Sequence, residues 1–448
     1  MTQGGKPGLI EQSRLPAWPE ELTEALSSLP HAPRVWVAYS GGLDSTLLLH
    51  LARYCLQEAR GASLKAIHVN HQLQANAGLC EAHCRRTCEE LSVPLVVDTV
   101  EVVGAGIKGG IEEAARSARY AAFKRWLEPG DLLLMAHHAD DQAETVLFRL
   151  IRGTGVAGLA GMPAFRPLGQ GALVRPLLRF SQERLRAIAQ ARNLRWVDDP
   201  SNEDQDFDRN FLRRSILPRL RQRWPSLPKR INRTAEYASE QAELADRLAE
   251  LQFNQCCDDR ATLRMDLFAR LSVPEQKNLL RWWISGLGFA PPVTRHWADL
   301  LAGLMEAKRD RSPEIRGPGY RLRRFNDRLH LVTEEPEIPL SGKTLTPARP
   351  VHWAGYTLWL EASSPSRQTA PVLQVTRREG GERLRERSGG PTRPLKKWLQ
   401  EKGVPPWQRT RLPLVWKAGE LVAIGDLWCA SDLCGGEPGS GWRLRCER

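Results

Sequence analysis

The chain has 448 residues, 42% hydrophobic and 26% charged, ordinary values for a folded protein with a sizeable core. At ~150 residues per domain the length suggests about three domains. The 64 Lys and Arg outnumber the 52 Asp and Glu to give a net charge of +12, which makes a large polyanion a candidate partner without establishing one. No apolar run is long enough to cross a bilayer, and residues 1–33 carry acids and prolines where a signal peptide needs an apolar stretch, so the expected location is the cytoplasm, with no membrane partner.

After that N-terminal extension (1–33), residues 34–218 alternate strand-like and helical stretches, the pattern of a parallel sheet with crossover helices. Strands are expected at 34–39, 64–69, 94–102 and 131–136, and helices at 45–60, 76–91, 111–127, 140–151 and 181–193. The first strand runs into Ser40, Gly41, Gly42, Leu43, Asp44 and Ser45 and then into an apolar helix start. Two glycines let backbone amides approach an anion, and the following helix dipole faces the same spot, so the loop reads as a phosphate cradle. It is not a Walker A loop, because no Lys follows the glycines; the bland alternative is an ordinary turn.

Ligands of such sheets sit beyond the carboxyl ends of the strands, where Asn70, His71 and the run His137 to Asp141 also fall. The carboxylates Asp140 and Asp141 near a phosphate loop suit Mg²⁺, Asp141 above all, while both also suit a helix cap. Cys80, Cys84 and Cys88 recur every fourth residue beside His83; with 9 cysteines in all and no Cys-x-x-Cys pair, core packing is the better reading. Arg116 and Arg119, three apart, share a helix face suited to phosphates, although ion pairs on a solvated face explain the spacing as well. Gly153 to Gly158 matches a dinucleotide fingerprint in form only, since it follows a helix.

Residues 229–333 read as mainly helical, ending in a strand pair at 319–324 and 328–332 around Phe325, Asn326 and Asp327. The Pro- and Glu-rich stretch 334–350 reads as a linker, and 351–448 as a basic, small α/β or mostly β domain. There Arg377, Arg378, Arg383, Arg385, Arg387, Arg393, Lys396 and Lys397 outnumber Glu379, Glu382 and Glu386, with Trp398 and Trp407 close behind. Cations that neutralise phosphates beside rings that stack on bases make an RNA contact, against a merely solvated basic surface.

The loop SGGLDS (40–45) resembles the PP-loop of ATP pyrophosphatases. Together with HVNHQL (68–73), IEEAARSARY (111–120), HHADDQAET (137–145), RGTGVAGLAGM (152–162), DDPSNEDQDFDRNFLR (198–213) and RSGGPTRPLKKWLQEKGVPPWQR (387–409), the chain resembles the tRNA(Ile)-lysidine synthase family in its long form. The resemblance implies an N-terminal α/β PP-loop domain, a mainly helical domain and a small α/β C-terminal domain. It implies ligation of free L-lysine to the wobble cytidine of the isoleucine tRNA with anticodon CAU, through an adenylated base, with ATP and Mg²⁺ and release of AMP and pyrophosphate. On that resemblance Ser40 to Ser45 hold the nucleotide, Asp44 and Asp141 hold the metal, and Arg116, Arg119 and Arg209 stabilise the adenylated intermediate or orient the cytidine. His138, Glu144, Asn210, Arg213, Arg393, Lys396, Lys397 and Trp407 contact the substrates. Asp141 and Glu144 remain alternatives for accepting the proton of the lysine amine, and a homodimer is compatible with the resemblance. The family pattern often has Gly where this chain has Gln72. A PP-loop tRNA thiolase is the runner-up, weakened by the lack of paired cysteines; an amide-forming ATP pyrophosphatase and a non-catalytic RNA-binding protein are the remaining readings.

Overall fold

The structure, a computed structural model, describes residues 16–57, 63–72, 77–100, 110–198, 208–257, 262–292, 297–306, 314–333, 337–362, 370–387, 389–434 and 442–447. It divides into two units, 1–244 and 245–448, the boundary falling inside one long helix.

The first unit runs α1 (Glu20–Ser27), β1 (Arg34–Ala38), α2 (Leu43–Gln57), β2 (Ser63–Asn70), α3 (Ala77–Glu90), β3 (Leu95–Thr99), α4 (Gly110–Trp126), β4 (Leu132–Leu134), α5 (Ala139–Ile151), α6 (Val156–Leu159), β5 (Phe165–Leu168), β6 (Gly171–Val174), α7 (Gln182–Ala191) and α8 (Asp208–Phe211). A π-helical turn at Leu212–Ile216, then α9 (Leu217–Arg223) and the part of α10 (Leu227–Cys256) up to residue 244, complete it. Its six strands lie in the order β3-β2-β1-β4-β6-β5, parallel except for β5, which pairs antiparallel with β6. The chain steps outward from β1 to β2 and β3 and then returns to place β4 on the other side of β1. The order therefore reverses between β1 and β4, and a crevice opens beyond their carboxyl ends.

Side-chain alternation loads both faces of this sheet. Val35, Val37, Leu132 and Leu134 join Leu47, Leu48, Leu51, Cys84, Cys88 and Leu185 on one face, while Trp36 and Leu133 join Ile67, Phe123, Leu127 and Leu173 on the other. Cys80, Cys84 and Cys88 are buried, as packing residues should be. Trp18, Leu22 and Leu26 belong to the first cluster, so part of the extension read over 1–33 is built into this core: an amphipathic helix buries its apolar stripe wherever a sheet face offers one. The strand expected at 94–102 is formed over Leu95–Thr99, and residues from 101 lie outside the described ones.

The second unit is less helical than its sequence suggests. After α10 come β7 (Thr262–Arg264), α11 (Met265–Phe268), α12 (Val273–Gly286), α13 (Trp297–Glu306), β8 (Glu314–Gly317), β9 (Tyr320–Phe325) and β10 (Arg328–Thr333), the strands forming one antiparallel sheet in the order β7-β10-β9-β8. Asn326 and Asp327, at φ +47° and +56°, make the two-residue hairpin turn between β9 and β10 with the left-handed backbone that such turns require. The C-terminal part carries β11 (Lys343–Leu345), β12 (Val351–Trp353), β13 (Tyr356–Ala362), β14 (Leu373–Thr376), β15 (Arg383–Arg385), β16 (Thr392–Pro394), α14 (Leu395–Glu401), α15 (Pro406–Arg409), β17 (Leu414–Lys417), β18 (Glu420–Ile424), β19 (Trp428–Cys429) and β20 (Trp442–Glu447). These build sheets β11-β14-β17-β18-β19, β12-β13-β20 and β15-β16 over a common core. The linker reading of 334–350 is corrected by β11: Leu345 is fully buried in that core and pairs with Leu373, which outweighs the surrounding prolines.

Candidate active site

β1 ends where Gly41 turns the chain at φ +85°, a conformation that excludes most side chains; a Cβ there would also lie 3.1 Å from Cys84 Sγ. The loop is held by its own serines. Ser45 Oγ donates to the Gly42 carbonyl at 3.0 Å and lies 3.0 Å from Ser40 Oγ, and the Gly42 N–H donates weakly to Ser40 Oγ at 3.4 Å. The Gly41 carbonyl accepts the Val197 N–H at 3.0 Å, which ties the loop to the segment after α7. Helix α2 begins at Leu43, so Asp44 and Ser45 lie in its first turn; the Leu43 side chain is buried in the core and only its backbone is available to a ligand.

The end of β4 supplies the facing wall. His138 is the N-cap of α5 and closes a capping box with Asp141: His138 Nδ1 accepts the Asp141 N–H at 3.3 Å and the His138 N–H donates to Asp141 Oδ2 at 3.1 Å. Its Nε2 lies 3.6 Å from Asp44 Oδ2 and 3.4 Å from Asp141 Oδ2, so the imidazole stands between the two carboxylates. Burial lowers its pKa, but the hydrogen bond to Asp44 and the charges of Asp141, Asp44 and Asp140 outweigh that and raise it.

The arginines arrive from α4 and from the turn after α8. Arg213, on the π-helical turn, grips Glu144 with Nε at 2.7 Å and Nη2 at 2.8 Å, and the same Nη2 reaches Asp141 Oδ1 at 2.8 Å. Burial raises the carboxyl pKa of Glu144, with Arg213 pulling against it. Arg209 donates to Thr145 Oγ1 at 2.9 Å, and Asn210 lies beside it on α8. On α4, Arg116 lies over the Tyr120 ring at 5.1 Å, and Arg119 Nε reaches His71 Nε2 at 3.3 Å, which places the two on different neighbours. Asp140, read as a cap or ligand, is instead a brace: it accepts the Gln182 N–H at 2.7 Å and pairs with Arg221.

Asp44 Oδ1 is buried without a hydrogen-bond partner, the state of a carboxylate built to meet a cation. Asp141 differs, since both its oxygens already accept, from Arg213 and from the His138 N–H. Among the described residues no three His, Cys, Asp or Glu side chains form a metal cage.

The PP-loop domain family matches residues 17–220, the TilS substrate binding domain residues 263–330 and the TilS substrate C-terminal domain residues 373–446. The tRNA(Ile)-lysidine synthase of Alkalilimnicola ehrlichii is 42% identical over 444 residues, covering 96% of this chain and 97% of the relative. That of Pseudomonas aeruginosa is 41% identical, over 92% of this chain and 94% of the relative. The chain belongs to the tRNA(Ile)-lysidine synthase family. It is thus an enzyme of that type with an ATP-using PP-loop domain and a tRNA substrate, and the thiolase and amide-forming readings are set aside. A solved U34-tRNA thiolase from Methanococcus maripaludis is 18% identical over 49% of this chain and 77% of that chain, with a TM-score of 0.42.

In this lysidine synthase family member the C-terminal residues sort into two groups. Lys396 and Lys397 are exposed on α14, and among the described residues no carboxylate pairs with either. Arg393 is bound to Glu401 and lies 3.6 Å from Glu386. Trp398 corrects the stacking reading: at 1% exposure it is core, because α14 turns Leu395, Trp398 and Leu399 to one buried stripe. Trp407 is half-buried, edge-on to Phe325 at 5.9 Å and His330 at 5.4 Å, with Arg323 over its ring at 5.3 Å. It therefore joins the 263–330 and 373–446 segments to each other.

Sequence reasoning missed Arg175, Arg166, Tyr120 and Arg221. Arg166 lies within β5 and Arg175 just after β6, a hairpin whose only sequence signal was Gly169 and Gln170 between short apolar runs.

Proposed function

We propose that the chain joins free L-lysine to C2 of the wobble cytidine of the isoleucine tRNA with anticodon CAU, giving lysidine, with ATP cleaved to AMP and pyrophosphate. The observation that carries this reading is the convergence of the β1 loop with Asp44, His138, Asp141, Glu144 and Arg213 at the point where the sheet order reverses.

The residues divide by chemistry. The Ser40–Ser45 backbone amides, the Ser40 and Ser45 hydroxyls and the start of α2 receive the β- and γ-phosphates and absorb the charge that develops as pyrophosphate leaves. Mg²⁺ would be held at Asp44 through Oδ1, with Asp141 joining only by giving up Arg213 or the cap, and it would offset charge on the phosphates. Arg116, Arg119 and Arg209 hold the RNA so that the cytidine oxygen meets the α-phosphorus and is adenylated, and they balance charge on that intermediate. Lysine must then attack as a neutral amine. Glu144 is the better proton acceptor, since burial makes its carboxylate more basic while Asp141 is engaged in the helix cap, and Arg213 moves aside as the ammonium takes its place. Lys396 and Lys397 hold the RNA backbone at a distance. A cytoplasmic enzyme and a homodimer belong to the same reading.

Radiolabelled lysine, ATP and tRNA transcripts test it. Label should enter only the CAU isoleucine transcript, with AMP and pyrophosphate released in equal amounts. Formation of ADP, or lysine incorporation without dependence on RNA, would overturn it.

A further inference from the structure

Beyond the carboxyl ends of β4 and β6 lies a second basic group, apart from the Ser40–Ser45 loop. Arg175 follows β6 and is only 3% exposed. Its guanidinium donates to His137 Nδ1 at 3.1 Å and to the Pro163 carbonyl at 2.6 Å, both neutral acceptors. Tyr120, on α4, meets Arg175 through its hydroxyl, which also lies 3.8 Å from Met135 Sδ, with Arg116 over its ring at 5.1 Å and Arg166 at 4.9 Å, and Arg116 Nη2 lies 3.5 Å from the hydroxyl. Among the described residues no carboxylate pairs with Arg116, Arg166 or Arg175. His137 stays neutral, since burial and then Arg175 hold its pKa well below the ordinary value, so it neither balances these cations nor adds a further one.

Such an arrangement is expensive unless something completes it. A buried guanidinium loses its hydration, and hydrogen bonds to neutral acceptors do not return the Coulomb energy that a counter-ion would. Some buried or half-buried arginines of this unit have that counter-ion: Arg213 has Glu144 and Asp141, Arg221 has Asp140, and Arg34 has Asp131, whereas Arg149 rests singly on the Gly158 and Gly161 carbonyls. Around Tyr120 three such cations gather in one place, and among the described residues none of them meets a carboxylate.

We propose that Arg116, Arg166 and Arg175, with the Tyr120 hydroxyl, form a receptor for a phosphate group that completes the cluster from outside the chain. Three guanidiniums and a phenol match the donor pattern that a tetrahedral oxyanion accepts, and Arg presents the fork that phosphate takes two bonds from. The position suggests which phosphate. His137, bonded to Arg175, directly precedes His138, whose ring faces Asp44, so the receptor flanks the nucleotide site. It rests on the reading of the protein as an enzyme acting on tRNA, and it assigns to this receptor an internucleotide phosphate next to the reacting base. Departing pyrophosphate carries the same chemistry and is the other source.

The test uses the full chain with Arg166→Gln and, separately, Arg175→Gln, each checked for native circular dichroism and an intact cooperative melt. Three quantities are read: tRNA affinity and its salt dependence without ATP, inhibition by pyrophosphate, and ATP affinity. Losing a charge-assisted bond to phosphate should weaken the ligand roughly tenfold. Weaker tRNA binding with a shallower salt slope and unchanged ATP affinity supports the RNA phosphate, and weaker pyrophosphate inhibition alone supports the leaving group. If Arg166→Gln, whose side chain is half-buried and makes ring contacts, folds normally and alters neither, the receptor is refuted. Should wild-type protein fail to attach lysine to tRNA while phosphate groups still bind this cluster, the functional reading fails and the receptor stands.

Discussion

Asp44 sits in the first turn of α2 with one carboxylate oxygen facing the His138 ring and the other buried and unpartnered. Asp44→Ala is expected to abolish pyrophosphate release while leaving tRNA retention on filters largely intact. Equal loss of both would take Asp44 off the nucleotide side of the site. Gln72 offers a different check. It holds φ +53°, a left-handed backbone that favours glycine, and its N–H donates to Asn70 Oδ1 at 2.9 Å, the local bond that makes a non-glycine residue tolerable there. Gln72→Val should cost about 1–2 kcal/mol in urea unfolding, whereas Gln72→Gly should cost almost nothing. A valine variant as stable as the parent would show that the turn carries no such constraint. That angle would suit the glycine which the resemblance leads one to expect at this place.

Two elements carry most of the geometry. Helix α5 starts where His138 and Asp141 close the capping box, and the same two side chains then face Asp44, so one reciprocal pair both ends the loop and builds the site wall. The π-helical turn at Leu212–Ile216 precedes Pro218, which has no N–H to return to the carbonyl of residue 214; the widened turn sets Arg213 against Glu144. Strand β1 is fixed to the start of β4 by Asp131, fully buried, which accepts from Arg34 Nε at 2.8 Å and Trp36 Nε1 at 3.1 Å. Asp131→Ala would take the acceptor from these two side chains and from the Glu128 N–H, with Arg34 keeping only its pair with Glu128, and should destabilise the first unit by about 3 kcal/mol, read from the denaturation midpoint of the full chain. A loss under about 1 kcal/mol would mean water replaces the carboxylate at no great cost.

Across the first unit, buried histidines set the response to acid. Burial lowers the pKa of His50 and His71 to about 4, with Arg192 and Arg119 adding to the effect, and it lowers His68, His83 and His137 as well. Each of these binds its proton more readily unfolded than folded. Their stabilisation is therefore present above the ordinary imidazole range and is lost as pH falls from 6.5 towards about 4. His138, raised, contributes in the opposite sense and is outnumbered. Urea midpoints at pH 7 and pH 5 should fall with acid by up to ~1.4 kcal/mol per pH unit for each histidine titrating, and His50→Gln should flatten the dependence. A midpoint rising on acidification would contradict it. In the second unit, neutralising Lys396 and Lys397 should weaken tRNA binding and reduce its log–log salt slope by about 1.5, since each phosphate contact contributes ~0.7–0.9. An unchanged slope would remove them from the RNA footprint.

The β1 loop, the alternation of strands and helices through the first unit, and the β9–β10 hairpin could all be read from residue order, because each depends on periodicity or on backbone angles that neighbouring residues dictate. Short strands such as β5, β6 and β11 could not: Pro167 interrupts one, prolines surround another, and only pairing partners stabilise them. The distinction between Trp398, sealed in a core, and Trp407, packed on Phe325 and His330, likewise depends on what the folded chain brings beside each ring. Local order thus established that this protein has a phosphate loop and two acidic and basic helix termini able to serve it. Tertiary structure alone decided that Arg213 meets Glu144 across 69 residues, that His138 stands between Asp44 and Asp141, and that Arg175 is buried with, among the described residues, no carboxylate beside it. Burial and pairing arise between segments remote in sequence, where neither spacing nor propensity reaches.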